Sequence, residues 1–423
     1  MRMNEISAKT AMTMLLLVCC ALPAAASDHT LGVFGNANED ETINMQDVTY
    51  TELIILEYRD ETELSDAKYD GKINMQDVTQ TELVILGKEK EITLVDSTGR
   101  IVTAEKPLNR IVVACSDSLE LLRAVKLETD RVVGVASGIQ SSREYDSHYK
   151  TFFPEYQDKQ PVDSVDTESI LSLDPDIAIV WMSPTYGATE KTIDVLNAAG
   201  VAVVCAYGGV EEDAMLMDVE RFGYLFGKRE EADTFVDWYE GVTGQIEATV
   251  EIIPDEDKPT VYVEGYQNWY ISGEDRDRVG SAGGTNIFGE TRGIVDPEEA
   301  IVQNPEIMVK TPWGCGGYHM DADDTAGLAE VRGEIMSRPE LSEVSAVKDG
   351  RVYVISGYIT TWGPSAGCRG FLSIAYMAKW FHPELFGDLD PEAIHQEYLT
   401  EFQGLDIDLN EKGVFVYPLL GES

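Results

Sequence analysis

The hexapeptide Ile-Asn-Met-Gln-Asp-Val occurs twice in this chain, at residues 43–48 and again at residues 73–78. Side chains that carry oxygen stand at alternate positions before and within each copy. That arrangement is what a hard divalent cation such as Ca²⁺ requires of its ligands. Because chance rarely repeats such a pattern at one spacing, the two segments predict a pair of calcium-binding loops.

The candidate ligands occupy positions 1, 3, 5, 7, 9 and 12 of a twelve-residue loop, with a backbone carbonyl at position 7. In the first loop these are Asn36, Asn38, Asp40, Thr42, Asn44 and Asp47. In the second loop they are Asp66, Asp70, Lys72, Asn74 and Asp77. The second loop has Lys68 at position 3, which cannot bind a cation, and the first has Glu41 where glycine is expected. We therefore expect an unequal pair, with strain at Glu41; an acidic surface repeat without metal is the alternative.

A segment of helical character follows each loop, at residues 49–56 and 79–86. The whole repeat, about residues 33–88, resembles a dockerin, a duplicated module of calcium loops and helices that docks onto a cohesin partner. The resemblance implies that calcium folds the module, because so short a segment has too little core to stand alone. It also implies a cohesin-like surface protein as a partner.

Residues 1–27 predict a secretory signal peptide. Arg2 and Lys9 precede a short apolar stretch, and three alanines at 24–26 offer a cleavage site. The stretch is too short to span a bilayer. We expect a secreted, extracellular protein that is associated with the cell surface. A lipid anchor at Cys19 or Cys20 is a less favoured alternative.

The chain is strongly acidic. It carries 76 acidic and 32 basic residues, with a formal net charge of −44. This excess argues against nucleic acid as a partner, since a phosphate-binding face needs clustered Lys and Arg. The cysteines at 115, 205, 315 and 368 form no metal-binding pattern, and the sequence leaves open whether they form disulfides or remain buried thiols.

Apolar runs that predict buried strands alternate with helical segments in two series. The first includes residues 110–115, 177–181 and 201–204, and the second includes 260–264, 307–310 and 351–355. Such alternation predicts an α/β fold with parallel sheets in two lobes. A long helical stretch at about 213–252 lies between the series. It is interpreted either as one rigid connecting helix or as a pair of helices broken near Gly227.

Several motifs after residue 90 resemble the iron-complex/corrinoid substrate-binding proteins of ABC importers. They occur in the family's order: VDSTGR at 95–100, RIV at 110–112, DTESILSLDPD at 166–176, GGTNIF at 283–288, VDPEE at 295–299 with QNPE at 303–306, and FHPELF at 381–386. The resemblance covers about residues 92–390. It implies two lobes joined by one long helix, and capture of an iron–siderophore type chelate or a corrinoid for an importer permease.

These patterns together predict an α/β protein preceded by a small all-α module. The predicted divisions are the signal peptide at 1–27, the dockerin-like module at 28–90, an N-terminal lobe at 91–212, a connecting helix at 213–253 and a C-terminal lobe at 254–423. We find no nucleophile elbow, zinc-protease motif or phosphate loop, so an enzyme is not expected. A structural or assembly protein of a cell coat, using the module without transport, is the alternative function.

Ligands of open α/β sheets bind beyond the carboxyl ends of the strands. That rule selects Ser116, Asp117, Trp181 and Tyr186 in the first lobe, and Tyr266, Trp269, Tyr270, Trp313, Tyr318, Tyr358 and Trp362 in the second. Trp and Tyr give rigid apolar walls with polar edges, which suit a large planar or chelated ligand. The alternative is that some of these rings pack the lobes internally.

Glu168 and Glu298 are single carboxylates at matching positions of the two series. The resemblance implies that they contact arginines of the permease, one from each lobe, and so fix the docking orientation by charge pairing. The alternative is that they are ordinary acids at helix N-termini, where the macrodipole favours negative charge.

Overall fold

The computed structural model describes residues 29–141, 148–183, 187–206, 212–272, 278–289, 291–360 and 367–421. The predicted signal peptide and the candidate residues Tyr186 and Trp362 lie outside these ranges. No helix within the described ranges is long and apolar enough to cross a membrane. Cys115, Cys205 and Cys368 are buried free thiols, and Cys315 is a half-buried one.

The N-terminal module contains helices α1 (Met45–Ile55) and α2 (Met75–Ile85). The repeated motif explains where α1 begins. The side-chain oxygen of Asn44 accepts a hydrogen bond from the Gln46 N–H at 2.8 Å, and the Asp47 carboxylate accepts one from the Asn44 N–H at 2.8 Å. This reciprocal capping satisfies N–H groups that a helix start would otherwise leave unpaired. The same capping recurs at the start of α2.

A hairpin of β1 (Glu91–Val95) and β2 (Ile101–Glu105) leads into the first lobe. The buried carboxylate of Asp96 holds its turn, accepting hydrogen bonds from the N–H groups of Thr98 at 2.9 Å and Arg100 at 3.0 Å. The same carboxylate accepts a hydrogen bond from Cys205 N–H at 3.0 Å, which ties the hairpin to the first sheet.

The first lobe is a five-stranded parallel sheet flanked by helices. Its elements are β3 (Ile111–Val113), α3 (Ser116–Ala124), β4 (Val132–Ala136), α4 (His148–Phe152), β5 (Gln160–Val162), α5 (Thr167–Ser172), β6 (Ile177–Val180), α6 (Glu190–Ala198) and β7 (Ala202–Cys205). The strand order is β5-β4-β3-β6-β7, with every pair parallel. The central strands are buried on both faces, which explains their continuous apolar sequences.

Two helices, α7 (Glu212–Phe226) and α8 (Arg229–Glu251), lie between the lobes in the sequence. Gly227 has φ 70°, a left-handed conformation that ends α7, and the Lys228 N–H donates to the Gly223 carbonyl at 2.8 Å. The prediction of one helix over 213–253 is therefore wrong, and the alternative with a break near Gly227 is confirmed. The long helix that leads to the second lobe is α8 alone.

The second lobe is built on a five-stranded sheet. Its elements are β8 (Thr260–Glu264), β9 (Tyr270–Ile271), β10 (Thr285–Asn286), β11 (Gly293–Ile294), α9 (Pro297–Gln303), β12 (Ile307–Lys310), β13 (Gly317–Asp321), α10 (Ala326–Met336), α11 (Ser345–Lys348), β14 (Val352–Ile355), α12 (Phe371–Phe381), α13 (Pro391–Glu397), β15 (Lys412–Val414) and β16 (Val416–Tyr417). The strand order of the sheet is β10-β8-β12-β14-β16. Among the residues that the structure describes, β16 alone runs antiparallel to its neighbour in this sheet. The predicted α/β class with parallel-sheet lobes is confirmed.

Candidate functional site

The candidate residues of the first lobe lie at the carboxyl ends of β3 and β6. Ser116 and Asp117 form the first turn of α3 and are half-buried. Trp181 follows β6 and is 37% exposed. Its carbonyl accepts a hydrogen bond from the Ala188 N–H at 2.8 Å, so the chain folds back after the strand. The first lobe therefore presents one indole and one carboxylate at the predicted edge.

Three aromatic rings of the second lobe form a group that we call the aromatic patch: Tyr266, Tyr270 and Trp313. The centroid of the Tyr266 ring lies 4.9 Å from that of Tyr270 and 5.7 Å from that of Trp313. Tyr266 is 36% and Trp313 is 51% exposed. Tyr266 lies in the loop after β8, Tyr270 is the first residue of β9, and Trp313 lies in the loop after β12. Neighbouring parallel strands thus bring together residues that are distant in sequence. Contact of the patch with a ligand stays a prediction.

Trp269 lies in the same loop but is turned toward the interior. Its φ is 63°, a left-handed conformation that costs a bulky residue on the order of 1–3 kcal/mol. The Trp269 N–H donates to the Glu264 carboxylate at 2.8 Å, and the ring stacks against Tyr262 with a centroid distance of 6.2 Å. The Arg338 guanidinium covers the ring at 5.7 Å. Trp269 therefore anchors the loop that carries Tyr266 and Tyr270.

A buried charge cluster supports this loop from below. Arg338 donates two hydrogen bonds to the carboxylate of Glu264, at 2.8 and 2.7 Å, and Lys310 donates one at 2.9 Å. Arg338 also donates to the side-chain oxygen of Asn268 at 2.8 Å. Burial opposes ionisation of Glu264, but the two cations hold its pKa below the usual range. The sequence analysis missed this cluster. The pattern that could have indicated it is a charged residue at the end of each of two apolar strands, Glu264 in β8 and Lys310 in β12.

Tyr318 and Tyr358 are buried, in contrast to the aromatic patch. The hydroxyl of Tyr318 lies 2.7 Å from Nε2 of His395, and its ring contacts Phe152 and Phe415 at centroid distances of 4.9 and 4.7 Å. Both rings pack the interior in this structure, as the alternative interpretation held for some of the rings. Their contact with a ligand stays a prediction.

The two lobes meet across a buried ion pair. Nε of Arg369, from the second lobe, lies 2.9 Å from Oε1 of Glu120 in α3. The hydroxyl of Tyr398 donates to the same oxygen at 2.5 Å. The guanidinium lies over the rings of Phe152 at 4.4 Å and Tyr318 at 5.4 Å. Burial alone would lower the pKa of Arg369, but the Glu120 carboxylate raises it above its ordinary value.

Glu168 and Glu298 occupy equivalent places in the two lobes. Both are exposed in the first turn of a short helix, α5 or α9, capped by an aspartate two residues earlier. Each helix is followed by a residue with φ 48°, Asp174 or Asn304, then by a proline and a sheet strand. The structure thus gives the two carboxylates matching local surroundings. Docking onto a permease stays a prediction.

The first calcium-loop candidate has a buried oxygen atom that favours a cation. Asn36, at position 1, donates through Nδ2 to the carbonyls of Leu31 and Asp40. Its side-chain oxygen is buried and has no hydrogen-bond partner among the described residues. Burial also raises the pKa of the Asp47 carboxyl at position 12. A cation bound at this loop would give the buried Asn36 oxygen a partner and would offset the burial of the Asp47 carboxylate.

The second loop differs from the first in its turn. The Asp66 carboxylate accepts hydrogen bonds from the N–H groups of Asp70 at 3.1 Å and Gly71 at 2.7 Å. Lys68 is exposed. The left-handed residue of the first loop is Glu39 with φ 57°, so the expected strain at Glu41 is absent because the turn there does not need positive φ.

Calcium binding itself stays a prediction. Within the described ranges, no three side chains of His, Cys, Asp or Glu converge in an arrangement that holds a metal ion. A cation in the first loop would instead be held by amide and backbone oxygens together with Asp40 and Asp47. Its residues fit a hard cation by ligand type, because oxygen is the donor that calcium prefers.

The class of the protein follows from this two-lobed architecture and from a family match. Residues 111–358 match the family described as Periplasmic binding protein. The match spans more than half of the chain, so the chain belongs to this family. Its members are substrate-binding proteins that serve ABC transporters outside the cytoplasm, and they are not enzymes.

Individual relatives are distant. FepB from Veillonella parvula, a TroA-like periplasmic binding protein, is 22% identical with a TM-score of 0.62, covering 77% of this chain and 98% of that one. The molybdate-binding protein MolA of Haemophilus influenzae is 22% identical over 332 residues, covering 73% of this chain and 90% of MolA. CeuE from Helicobacter pylori with Ni(II) bound is 17% identical with a TM-score of 0.53, covering 74% and 96%. Such structural likeness establishes the fold.

Proposed function

We propose that this protein captures a chelated metal complex between its two lobes and delivers it to an ABC importer. The observation that carries the proposal is the aromatic patch of Tyr266, Tyr270 and Trp313, which lies at the carboxyl ends of β8 and β12. Rigid rings with polar edges bind large ligands at a low cost in side-chain entropy. The exposed indole of Trp181 occupies the corresponding edge of the first lobe.

An iron–siderophore type chelate or a corrinoid suits this surface better than a bare ion. A bare cation needs several converging oxygen, nitrogen or sulfur ligands, whereas the patch supplies apolar area. The relatives are named for different ligands: molybdate for MolA and Ni(II) for CeuE. The test therefore includes those two species.

Calorimetric titration and tryptophan fluorescence would identify the ligand. The probes are a ferric catecholate, a ferric hydroxamate, cobalamin, molybdate and nickel–histidine. We expect saturable binding of a chelate or a corrinoid with quenching of Trp313. Binding of molybdate alone would replace the proposed ligand class, and silence with all five probes would refute the proposal.

Replacing Trp313 locates the binding surface. Trp313→Phe should weaken binding roughly tenfold, or about 1.4 kcal/mol, and should remove most of the quenching. Trp380→Phe is the control, since Trp380 stacks on Tyr353 at 4.4 Å and belongs to α12 rather than to the binding loops. Equal losses in both variants would show that the patch is not the site.

We propose that Glu168 and Glu298 dock the protein onto its permease. Their matching placement on α5 and α9 supports this role. Uptake measured with the cognate permease in proteoliposomes should fall at least tenfold in Glu168→Arg and Glu298→Arg, while ligand affinity stays unchanged. Glu190→Arg is the control, because Glu190 is an exposed acid at the start of α6 in the same lobe. Normal uptake in both docking variants would exclude this role.

We propose that the N-terminal module binds calcium and tethers the protein to a cohesin-like surface protein. Met45 and Met75 support a contact surface: they stand at equivalent positions and are 58% and 56% exposed. Biosensor binding to a panel of cohesin domains, with calcium and then with a chelator, tests the tether. Binding that calcium does not affect, or no binding, would contradict it. A protein that tethers without binding any solute would favour the cell-coat alternative.

A further inference from the structure

The first calcium loop is fixed directly to the body of the protein. Ile43 stands between the candidate ligands Thr42 and Asn44 and is completely buried. Its N–H donates to the hydroxyl of Tyr224, in the last turn of α7, at 3.1 Å. A loop whose backbone is bonded in this way cannot rearrange without moving Tyr224.

Arg229, the first residue of α8, holds both halves of the module. Its guanidinium donates to the Ile43 carbonyl at 3.4 Å and to the carbonyls of Val84 and Ile85 at 3.5 and 3.3 Å. The last two carbonyls belong to the end of α2, where carbonyls lack helical partners and favour a cation. The same guanidinium lies 4.6 Å from the centroid of the Tyr224 ring.

The module also extends the hairpin of the body. Val33 pairs with Leu94 in an antiparallel bridge, and the Phe34 N–H donates to the Thr93 carbonyl at 2.9 Å. Leu31, Val33, Ile43 and Val84 belong to the same buried apolar cluster as the first lobe. The interface is therefore continuous with the core, unlike a domain on a flexible linker.

We propose that calcium in the first loop stabilises the whole body through Ile43, Tyr224 and Arg229. A ligand that binds only the folded form stabilises every part that unfolds together with its site. The contacts above make the first loop such a part. This inference rests on the calcium binding put forward under Proposed function, and it adds that the module is a structural element of the transport protein.

The tryptophans allow a direct test. The chain has six, and Trp181 is the first, so tryptophan fluorescence reports on the body and not on the module. Thermal unfolding of the mature chain is followed with excess calcium and with a chelator. At calcium about one hundred times above its Kd, the midpoint should rise on the order of 5 °C.

Two matched variants distinguish the contributions of the two candidate calcium loops to this shift. Asp40 and Asp70 stand at position 5 of their loops, and each accepts a hydrogen bond from the N–H two residues later. Asp40→Ala should abolish most of the calcium-induced shift, and Asp70→Ala should leave most of it. Equal losses of the calcium-induced shift in the two variants would contradict the proposal that calcium stabilises the body through the first loop.

Tyr224→Phe keeps the ring and removes the hydroxyl that accepts from Ile43. It should still bind calcium in a calorimetric titration but should show less than half of the wild-type shift. Calcium uptake by the wild type without any shift would overturn this inference alone. Absence of calcium uptake in titration would instead refute the calcium binding on which it rests.

Discussion

Nε of Arg369 lies 2.9 Å from Oε1 of Glu120, and both side chains are fully buried where the two lobes meet. Glu120 belongs to the helix that follows β3 and therefore lies directly behind Ser116 and Asp117 of the candidate site. The pair therefore ties the helix that carries these two candidate residues to the second lobe.

Removing one partner of this ion pair should destabilise the folded protein strongly. Glu120→Gln leaves the Arg369 guanidinium buried without its countercharge, and we expect a loss on the order of 3–5 kcal/mol in the free energy of unfolding. Denaturant unfolding followed by circular dichroism measures it. Asp321→Asn removes one partner of an exposed ion pair with Lys412, so it serves as the control and should leave the midpoint unchanged. Similar losses in both variants would contradict the assignment.

His395 should make the protein less stable in mild acid. Burial and the nearby Arg369 hold its pKa well below the ordinary value. Below the unfolded-state pKa of about 6.5, the unfolded chain binds a proton that the folded chain does not. The free energy of unfolding should therefore fall by about 1.4 kcal/mol per pH unit below that point.

His395→Gln should lack this component of the pH dependence. The measurement compares wild type and variant by urea unfolding between pH 7.5 and 5, because the many other acids contribute equally to both. Parallel curves would show that His395 takes up its proton in the folded state as well.

His29, in contrast to His395, should make the folded protein more stable in mild acid. Nε2 of His29 lies 2.8 Å from the Glu220 carboxylate, and that hydrogen bond raises the pKa of His29. Glu41 and Glu240 also face it and act in the same direction. The stabilisation is complete below the unfolded-state pKa of about 6.5 and is lost as pH rises through the folded-state pKa.

An NMR titration of His29 checks this prediction. Glu220→Gln should lower the pKa of His29 toward its ordinary value, whereas Glu240→Gln should change it less, since Glu240 contributes only at longer range. A larger change in Glu240→Gln would show that the hydrogen bond to Glu220 is not the main cause.

Arg338 should control the loop that carries the aromatic patch. Arg338→Lys keeps the charge but loses the fork that binds Glu264 at two oxygens and covers Trp269. We expect faster hydrogen exchange at the Trp269 amide and stronger quenching of tryptophan fluorescence by acrylamide. Arg332→Lys is the control, because Arg332 donates to the backbone carbonyls of Gly350 and Val352 near β14. Unchanged exchange in Arg338→Lys would show that the loop does not depend on the fork.

The local features of the fold could be predicted from sequence. The apolar runs gave the parallel strands, because strands buried on both faces need no polar alternation. The repeated Asn-Met-Gln-Asp motif predicted two helical segments, at 49–56 and 79–86. The helices begin four residues earlier, at Met45 and Met75, because the Asn and Asp side chains of the motif cap the backbone there. The break at Gly227 was left open, since a glycine inside a helical pattern ends the helix only when the backbone there turns left-handed.

The arrangement of the candidate residues could be predicted only in part. The switch-point rule predicted that Tyr266 and Trp313 lie at the carboxyl edge of the sheet, where the structure has them, but it cannot separate an exposed ring from a buried one such as Tyr318. That difference depends on Arg369 and His395, which belong to the same lobe but lie 51 and 77 residues away from Tyr318 in the sequence, so they meet it only when that lobe folds. Pairings of this kind leave no local pattern.

The contact between Ile43 and Tyr224 imposes an order on biogenesis. Chains leave a ribosome or an export channel from the N-terminus, so the first loop emerges long before α7 and α8 follow. The groups that bury Ile43 and cap the end of α2 come from those later helices. The first loop can therefore reach its final packing only after α7 and α8 have followed it.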